Sequence, residues 1–270
     1  SVAVDAHGKV FAGTSQGLAE YDHGEWIRST DYDGPVKLIA PHDGNLVGVG
    51  GGALYELENG QPTLLAQLPE VAADPVDQHC LSGGQRILLG TSAGLFELKD
   101  SVFTAVASLD TLLGDDKEIR QIAVAENGQA AVAAAAGLFV SQPEGVWEAL
   151  HPHDGKRSWA PRDVRSVAFD SRGRLWFASP QGVGRCDKDG WKLFTAQDGL
   201  PYDDFTLMAP GENGAVWFGT RIGAIHFDET TWEYRMAPRW LPGNVIRSLP
   251  VSANGNASFA TEKGGGLLAR

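Results

Sequence analysis

Short apolar runs of four to six residues alternate along the chain with residues that form tight turns. One clear unit has apolar runs at 165–169, 175–178, 183–186 and 191–194, and an Asp-x-x-Gly turn at 170–173 separates the first two. Runs of this length are too short for stable helices, and flanking turn residues are typical of β-strands. The unit therefore predicts four short strands that are joined by tight turns.

The same unit recurs along the whole chain. Its clear copies lie at 5–18, 170–183 and 212–224, and fainter copies lie at 42–54, 82–95, 126–138 and 253–264. One small residue opens the third segment of each copy: Gly17, Ala53, Gly94, Gly137, Gly182, Gly223 and Gly264. These residues are 36 to 45 positions apart. A period near 40 residues with four strands per unit is typical of β-propellers.

These repeats predict an all-β fold, a seven-bladed β-propeller with about four short antiparallel strands per blade and an incomplete last blade. The copies fill residues 1–270, which favours a single domain. The blades are expected at 1–34, 35–76, 77–117, 118–162, 163–203, 204–243 and 244–270. The seventh copy ends in its third strand, so we expect either a three-stranded blade or a strand from outside this chain. The second alternative would make the chain part of a longer polypeptide.

Composition narrows the class of protein. The chain has 270 residues, of which 43% are hydrophobic, and this content excludes an intrinsically disordered protein. No run of about 18 apolar residues is present, so no transmembrane helix is expected. The net charge of -12 makes nucleic acid an unfavourable partner. Cys80 and Cys186 fit no metal or redox spacing, and we expect two buried thiols.

The best-preserved copies carry motifs beyond the simple alternation of strands and turns. Asp-Gly-Leu-Pro at 198–201 leads into one copy, Val-Trp-Phe-Gly-Thr at 216–220 forms its second strand, and Leu-Pro-Gly-Asn-Val at 241–245 leads into the last copy. This pattern resembles the two-component-regulator propeller repeat over nearly the whole chain. The resemblance implies a β-propeller that forms a periplasmic or secreted sensor portion of a bacterial protein, commonly one that senses carbohydrate. Related propellers also occur beside catalytic domains.

Three arginines occupy the same position of the repeat, at the start of predicted inner strands. Arg120, Arg165 and Arg247 each follow an apolar residue at the start of a predicted first strand. If inner strands line the central channel, the guanidinium groups gather at one mouth and favour an anionic ligand. The other candidate ligand-binding residues on loops of that mouth are Arg157, Trp159, Tyr202, Arg239 and Trp240. The structural alternative is that these arginines pair with acidic residues, such as Asp115, Asp116, Asp163 or Asp204.

Two histidines are the candidate catalytic residues. His151 and His153 lie on the longest polar loop and could act as a general base. A zinc site would need a third protein ligand, and His79 is the only further candidate. The alternative is that both histidines simply lie on a solvated loop. No metal site or cofactor is therefore expected; the remaining possibility is Ca²⁺ held by acidic pairs such as Asp203 and Asp204.

Two classes of function remain open from the sequence. The first is a non-catalytic sensor propeller that binds a small anionic carbohydrate or other small molecule at the channel mouth. The second is a propeller-fold lyase or hydrolase that acts on an acidic sugar or ester in the channel, with Arg165 or Arg247 stabilising negative charge. An enzyme needs its base and charge stabiliser near one substrate atom, whereas a binder needs only a complementary lining.

Overall fold

Seven antiparallel sheets form a seven-bladed β-propeller in the computed structural model. The structure describes residues 1–29, 34–58, 61–70, 80–142, 145–153, 162–252 and 255–268. Within them, six blades have four strands and the seventh has three, with each strand hydrogen-bonded to its neighbours in chain order.

Blade 1 has β1 (Val2–Val4), β2 (Val10–Thr14), β3 (Gly17–Asp22) and β4 (Glu25–Arg28), and blade 2 has β5 (Leu38–His42), β6 (Asn45–Gly50), β7 (Ala53–Glu58) and β8 (Gln61–Gln67). Blade 3 has β9 (Leu81–Gly83), β10 (Ile87–Thr91), β11 (Gly94–Lys99) and β12 (Val102–Ala105), and blade 4 has β13 (Ile119–Val124), β14 (Ala130–Ala134), β15 (Gly137–Ser141) and β16 (Trp147–Leu150). Blade 5 has β17 (Ser166–Phe169), β18 (Leu175–Ser179), β19 (Gly182–Asp187) and β20 (Gly190–Phe194). Blade 6 has β21 (Phe205–Pro210), β22 (Val216–Thr220), β23 (Ala224–Phe227) and β24 (Trp232–Arg235). Blade 7 has β25 (Ile246–Ser248), β26 (Ala257–Thr261) and β27 (Gly264–Leu268). One α-helix, α1 (Ala107–Leu113), and two short 3₁₀ turns at Ala196–Asp198 and Glu212–Gly214 complete the regular elements of the described residues.

The small residues that open the third segment of each copy mark the third strands, as the repeat predicts. In blades 1, 3, 6 and 7 a threonine three residues earlier closes the tight turn, because its hydroxyl donates to the carbonyl of that small residue; Thr220 to Gly223 is 2.7 Å and Thr14 to Gly17 is 2.8 Å. Gly223 has a φ of 141°, a conformation in which a Cβ would collide with the Arg235 carbonyl. Glycine is therefore required at this turn.

Apolar side chains fill the spaces between blades. One buried cluster lies at each of the six interfaces from blades 1 and 2 to blades 6 and 7. Between blades 5 and 6, Trp176 stacks on Phe194 with ring centroids 5.8 Å apart and meets the edge of Phe218 at 6.4 Å. Each fully buried side chain of this size stabilises the fold by about 1.5–3 kcal/mol. The blades therefore form a rigid frame for the loops at their ends.

The ring closes through its innermost strands. Each inner strand contacts the inner strand of the next blade, and β1 contacts the seventh blade. The Val2 N–H donates to the Ser248 hydroxyl at 3.1 Å, and this hydroxyl donates to the Val2 carbonyl at 3.0 Å. A side chain therefore joins the first and last blades at the channel.

Two local features differ from the sequence expectation. The strand pattern does not predict α1, a single helix of seven residues whose Leu109 and Leu113, one turn apart, are both buried against blades 3 and 4. Of the two cysteines, Cys80 is buried as expected, but Cys186 is partly exposed, because it lies near the end of β19 at the blade margin. The expectation of two buried thiols is therefore wrong for Cys186.

Candidate functional site

The two ends of the propeller differ in their loops. We call the end at which inner strands begin the entry face; it carries the connections from each outer strand to the next inner strand, such as 195–204 and 236–245. We call the opposite end the exit face; it carries the turns between first and second strands, such as 170–174 and 211–215. Antiparallel order within every blade places these two sets of loops at opposite ends.

Four inner strands place a basic residue at the same register position on the entry face. Arg120 and Arg247 are the extra residues of β-bulges, between Ile119 and Gln121 and between Ile246 and Ser248. Arg165 and Lys37 immediately precede the first paired residues of β17 and β5, and their N–H groups bond to the second strands, Arg165 to the Ala178 carbonyl and Lys37 to the Val49 carbonyl, both at 2.8 Å. We call this set the basic frame: Lys37, Arg120, Arg165 and Arg247.

Lys37 is the member that sequence reasoning missed. Its segment, Val36-Lys37-Leu38, has the same order of apolar and basic residues as Val164-Arg165-Ser166, and this similarity is the signal that could have found it. The lysine and Arg247 are both exposed. Arg247 forms no ion pair with any residue that the structure describes, so its charge is available to a ligand.

One carboxylate joins two members of the basic frame. Asp163 accepts hydrogen bonds from Arg120 through one oxygen and from Arg165 through the other, with Arg165 Nη2 at 2.7 Å and Nε at 3.1 Å. Burial acts to raise the pKa of Asp163, but the hydrogen bonds and charges of both arginines outweigh burial and hold that pKa below its usual value. This contact matches the structural alternative for Arg120 and Arg165. Arg120 also lies 3.7 Å from a carboxylate oxygen of Glu118, so the two arginines face two carboxylates.

The aromatic candidates lie on entry-face connections. Trp240 is exposed, and the guanidinium groups of Arg235 and Arg239 lie 4.9 Å and 5.0 Å from its ring centroid. Tyr202 packs partly against the blade 5 and 6 core, and its ring meets Tyr234 edge-on at 5.9 Å. Trp240 is therefore within cation–π distance of two arginines, and Tyr202 packs against a second tyrosine.

The structure does not bring the histidine candidates beside the basic frame of their own blade. His151 directly follows β16, the outermost strand of blade 4, and both His151 and His153 are exposed. Arg120 is on β13, three strands further in, which corresponds to about 14 Å at normal strand spacing. Arg157, Trp159 and His79 lie outside the described residues.

A large cavity that described residues line opens on the exit face. It has a volume of about 840 Å³, and its polar lining includes Glu126, Asn127, Ser171, Arg172 and Glu212. A second cavity of about 320 Å³ lies within the channel between the inner strands and shares lining residues with the first. The channel is therefore continuous with the exit face.

Two further features are absent from the described parts of the chain. No group of three or more His, Cys, Asp or Glu side chains there could hold a metal ion. No helix there is long and apolar enough to cross a membrane.

Solved structures with the same fold come from several functional classes. An extracellular domain assigned to a hybrid two-component system of B. thetaiotaomicron superposes with a TM-score of 0.71 at 18% identity over 99% of this chain and 38% of that chain. A streptogramin B lyase superposes with a TM-score of 0.71 at 14% identity over 99% of this chain and 91% of that one. YCF48 bound to D1 peptide has a TM-score of 0.66 at 15% identity, with 99% and 90% covered.

These similarities define the class of the protein as a seven-bladed β-propeller and show the fold alone, since every identity is below one fifth. The chain spans about two fifths of the length of the two-component-system structures that it matches. No family model matches the chain, and no curated protein matches it.

Proposed function

We propose that this chain is a non-catalytic sensor propeller that binds a small anionic carbohydrate at the entry face. The observation that carries the proposal is the basic frame, in which four inner strands present a cation at one register position. Guanidinium and ammonium groups bind carboxylate or phosphate groups through charge-assisted hydrogen bonds. In a protein with a net charge of -12, they also create a local field that attracts anions.

The contact of Asp163 with Arg120 and Arg165 supports the ligand chemistry. These two guanidinium groups already bind one carboxylate, which the chain itself supplies. A sugar acid offers the same group, and Arg247, at the same register position on blade 7, is exposed. Trp240 and Tyr202 add aromatic surface on the same face, on which sugar rings can pack.

The sensor role and the location also belong to this proposal. Extracellular domains assigned to two-component systems share the fold, which favours a periplasmic or secreted module that passes a binding signal to other parts of a signalling protein. A lyase shares the fold as well. Binding without turnover is favoured here because the exposed His151 follows the outermost strand of its blade, remote from Arg120 on the innermost strand.

Calorimetric titration with oligogalacturonate, and with the neutral galactose oligomer of equal length, tests this function. The wild-type protein is expected to bind only the acidic sugar. Arg247→Gln and Lys37→Gln are each expected to weaken binding about tenfold, because each variant loses a hydrogen bond between charged groups. Lys188→Gln, which removes the same charge from the exposed β19–β20 turn, is the matched control and should bind normally.

The ligand recovered after titration separates the two classes of function. Intact sugar agrees with a sensor, whereas shortened or unsaturated sugar would replace the proposal with the lyase or hydrolase alternative. Equal binding by wild type, Arg247→Gln and Lys37→Gln would remove the basic frame as the site.

A further inference from the structure

Apolar residues surround the opening of the channel at the exit face, which we call the exit mouth. In five blades, the last residue of the inner segment that pairs with the second strand is apolar: Val4, Val124, Phe169, Pro210 and Val251. All five line cavities at this face. Pro210 is exposed, and Val124, Phe169 and Val251 are partly exposed. Since the other end of the inner strands carries the basic frame, the two ends of the channel differ in chemistry.

The cavity of about 320 Å³ within the channel, which we call the exit throat, leads inward from the exit mouth. Most of its lining residues are apolar, among them Ala40 and Ala168, and none of the described residues that line it carries a charge. Gln121 lines it as well, but its amide is already bonded to the backbone of Met208. The exit throat therefore suits the apolar part of a ligand.

Carboxylates line the wider cavities into which the exit throat opens. Glu126 and Glu212, each the second residue of a five-residue turn, line the cavity of about 840 Å³. Asp5 and Asp43 line another cavity, of about 280 Å³, at the ends of blades 1 and 2. Both cavities share lining residues with the exit throat. Acidic residues of four blades therefore lie around one apolar opening.

The basic residue at the exit mouth is already engaged. Among the described residues that line the three cavities, Arg172 is the one arginine or lysine, and its guanidinium group binds the Asn213 carbonyl at 2.8 Å and reaches Glu229 at 3.4 Å. Glu126 is exposed and forms no ion pair with any residue that the structure describes. The exit mouth therefore keeps a negative charge that a cation can pair with.

We propose that the exit mouth binds a small organic cation, a primary amine with an apolar body. The ammonium group lies beside Glu126 and Glu212 and donates charge-assisted hydrogen bonds to their carboxylates. The apolar body enters the exit throat, where removing its surface from water favours binding. Cavities of these volumes are typical of small-molecule sites.

Calorimetric titration with phenethylamine tests this site, with phenethyl alcohol as the uncharged analogue and ethylamine as the cation that lacks the apolar body. The wild-type protein is expected to bind one phenethylamine per chain with a dissociation constant of about 1 mM, a normal affinity for so small a ligand. Phenethyl alcohol should bind at least about tenfold more weakly, because it forms no ion pair with the glutamates. Ethylamine should lose at least as much, because it leaves the exit throat unfilled.

Glutamate variants locate the ammonium group. Glu126→Gln and Glu212→Gln keep the shape of the side chain and remove its charge, so each should weaken phenethylamine binding about fivefold, and the double variant should weaken it more than about tenfold. Glu126→Asp keeps the charge and should retain most of the affinity. Glu25→Gln, on the exposed outermost strand of blade 1, is the matched control and should bind normally. Melting temperatures without ligand show whether each variant is folded.

Four results would overturn the proposal. Phenethyl alcohol that binds as tightly as phenethylamine would exclude a role for charge, and ethylamine that binds as tightly would exclude a role for the exit throat. Unchanged binding by the folded double variant would exclude the two glutamates. No saturable binding of phenethylamine up to about 10 mM would exclude the site. Because the basic frame is tested with a different probe at the opposite face, failure of either site leaves the result for the other unchanged.

Discussion

The side-chain amide of Gln121, on the inner strand of blade 4, binds both backbone groups of Met208, on the inner strand of blade 6. Its nitrogen donates to the Met208 carbonyl at 2.7 Å, and its oxygen accepts from the Met208 N–H at 3.1 Å. The same oxygen accepts from the Val167 N–H of blade 5 at 3.4 Å. One buried side chain therefore links three blades across the channel, one residue beyond the basic Arg120.

Replacing Gln121 with alanine should destabilise the ring. The buried N–H and carbonyl of Met208 would lose these bonds, which costs about 1–3 kcal/mol. Urea unfolding measures this loss, with Gln16→Ala on an exposed turn as the control. An unchanged midpoint for Gln121→Ala would mean that water replaces the amide in the channel.

Asp163→Asn should lower stability at neutral pH and matter little in acid. The folded-state pKa of Asp163 is depressed, so its contribution is present above the unfolded pKa of about 4 and is lost as pH falls through the folded pKa. Because the carboxylate is partly exposed, solvent screening limits the contribution to about 1 kcal/mol. Thermal unfolding of both proteins at pH 7 and pH 2.5 measures the difference.

The matched control for that prediction is Asp189→Asn, in an exposed turn of blade 5. It should leave both melting temperatures unchanged. A loss for Asp163→Asn that is equally large at both pH values would contradict the pairing with Arg120 and Arg165.

Arg174 should be the most important ion-pair residue between blades 5 and 6. Its guanidinium group binds the buried carboxylate of Asp170 at 2.7 Å and also pairs with Glu229 of the next blade. Arg174→Ala would leave buried charge without its partner, which costs about 3–5 kcal/mol. Chemical unfolding measures this cost.

Arg172→Ala serves as the comparison for Arg174→Ala. Arg172 also reaches Glu229, but its side chain is 53% exposed against 16% for Arg174. A pair this exposed contributes about 0–1 kcal/mol. Equal losses for the two variants would show that burial of the pair does not determine its contribution.

The two thiols should differ in reactivity. Cys80 is fully buried and its thiol donates to the Ile119 carbonyl at 2.9 Å, whereas Cys186 is partly exposed. Burial and the charge of Asp187 raise the pKa of Cys186, so its labelling should be slow at pH 7 and faster as pH rises. A thiol-reactive dye and peptide mapping measure this, and unfolded protein should be labelled at both positions.

For the candidate site, the sequence indicates the position of the basic residues but not the contacts that they make. The frame of Arg120, Arg165 and Arg247 is visible in the sequence, because each follows an apolar residue at the start of a repeat. The pairing of Arg120 with Asp163 joins residues 43 positions apart on different blades, and the sequence left it as one of four alternatives. Which carboxylate meets a guanidinium group depends on how neighbouring blades pack.

The sequence by itself determined the seven repeats, the strand order within each blade and the turns that Thr220 and Gly223 exemplify. These features depend on contacts between residues close in the chain, which local patterns of apolar and turn residues specify. Only the tertiary structure decided that Gln121 reaches Met208, 87 residues away. Such contacts depend on the distance and orientation between blades, which a repeat with a period of about 40 residues does not encode.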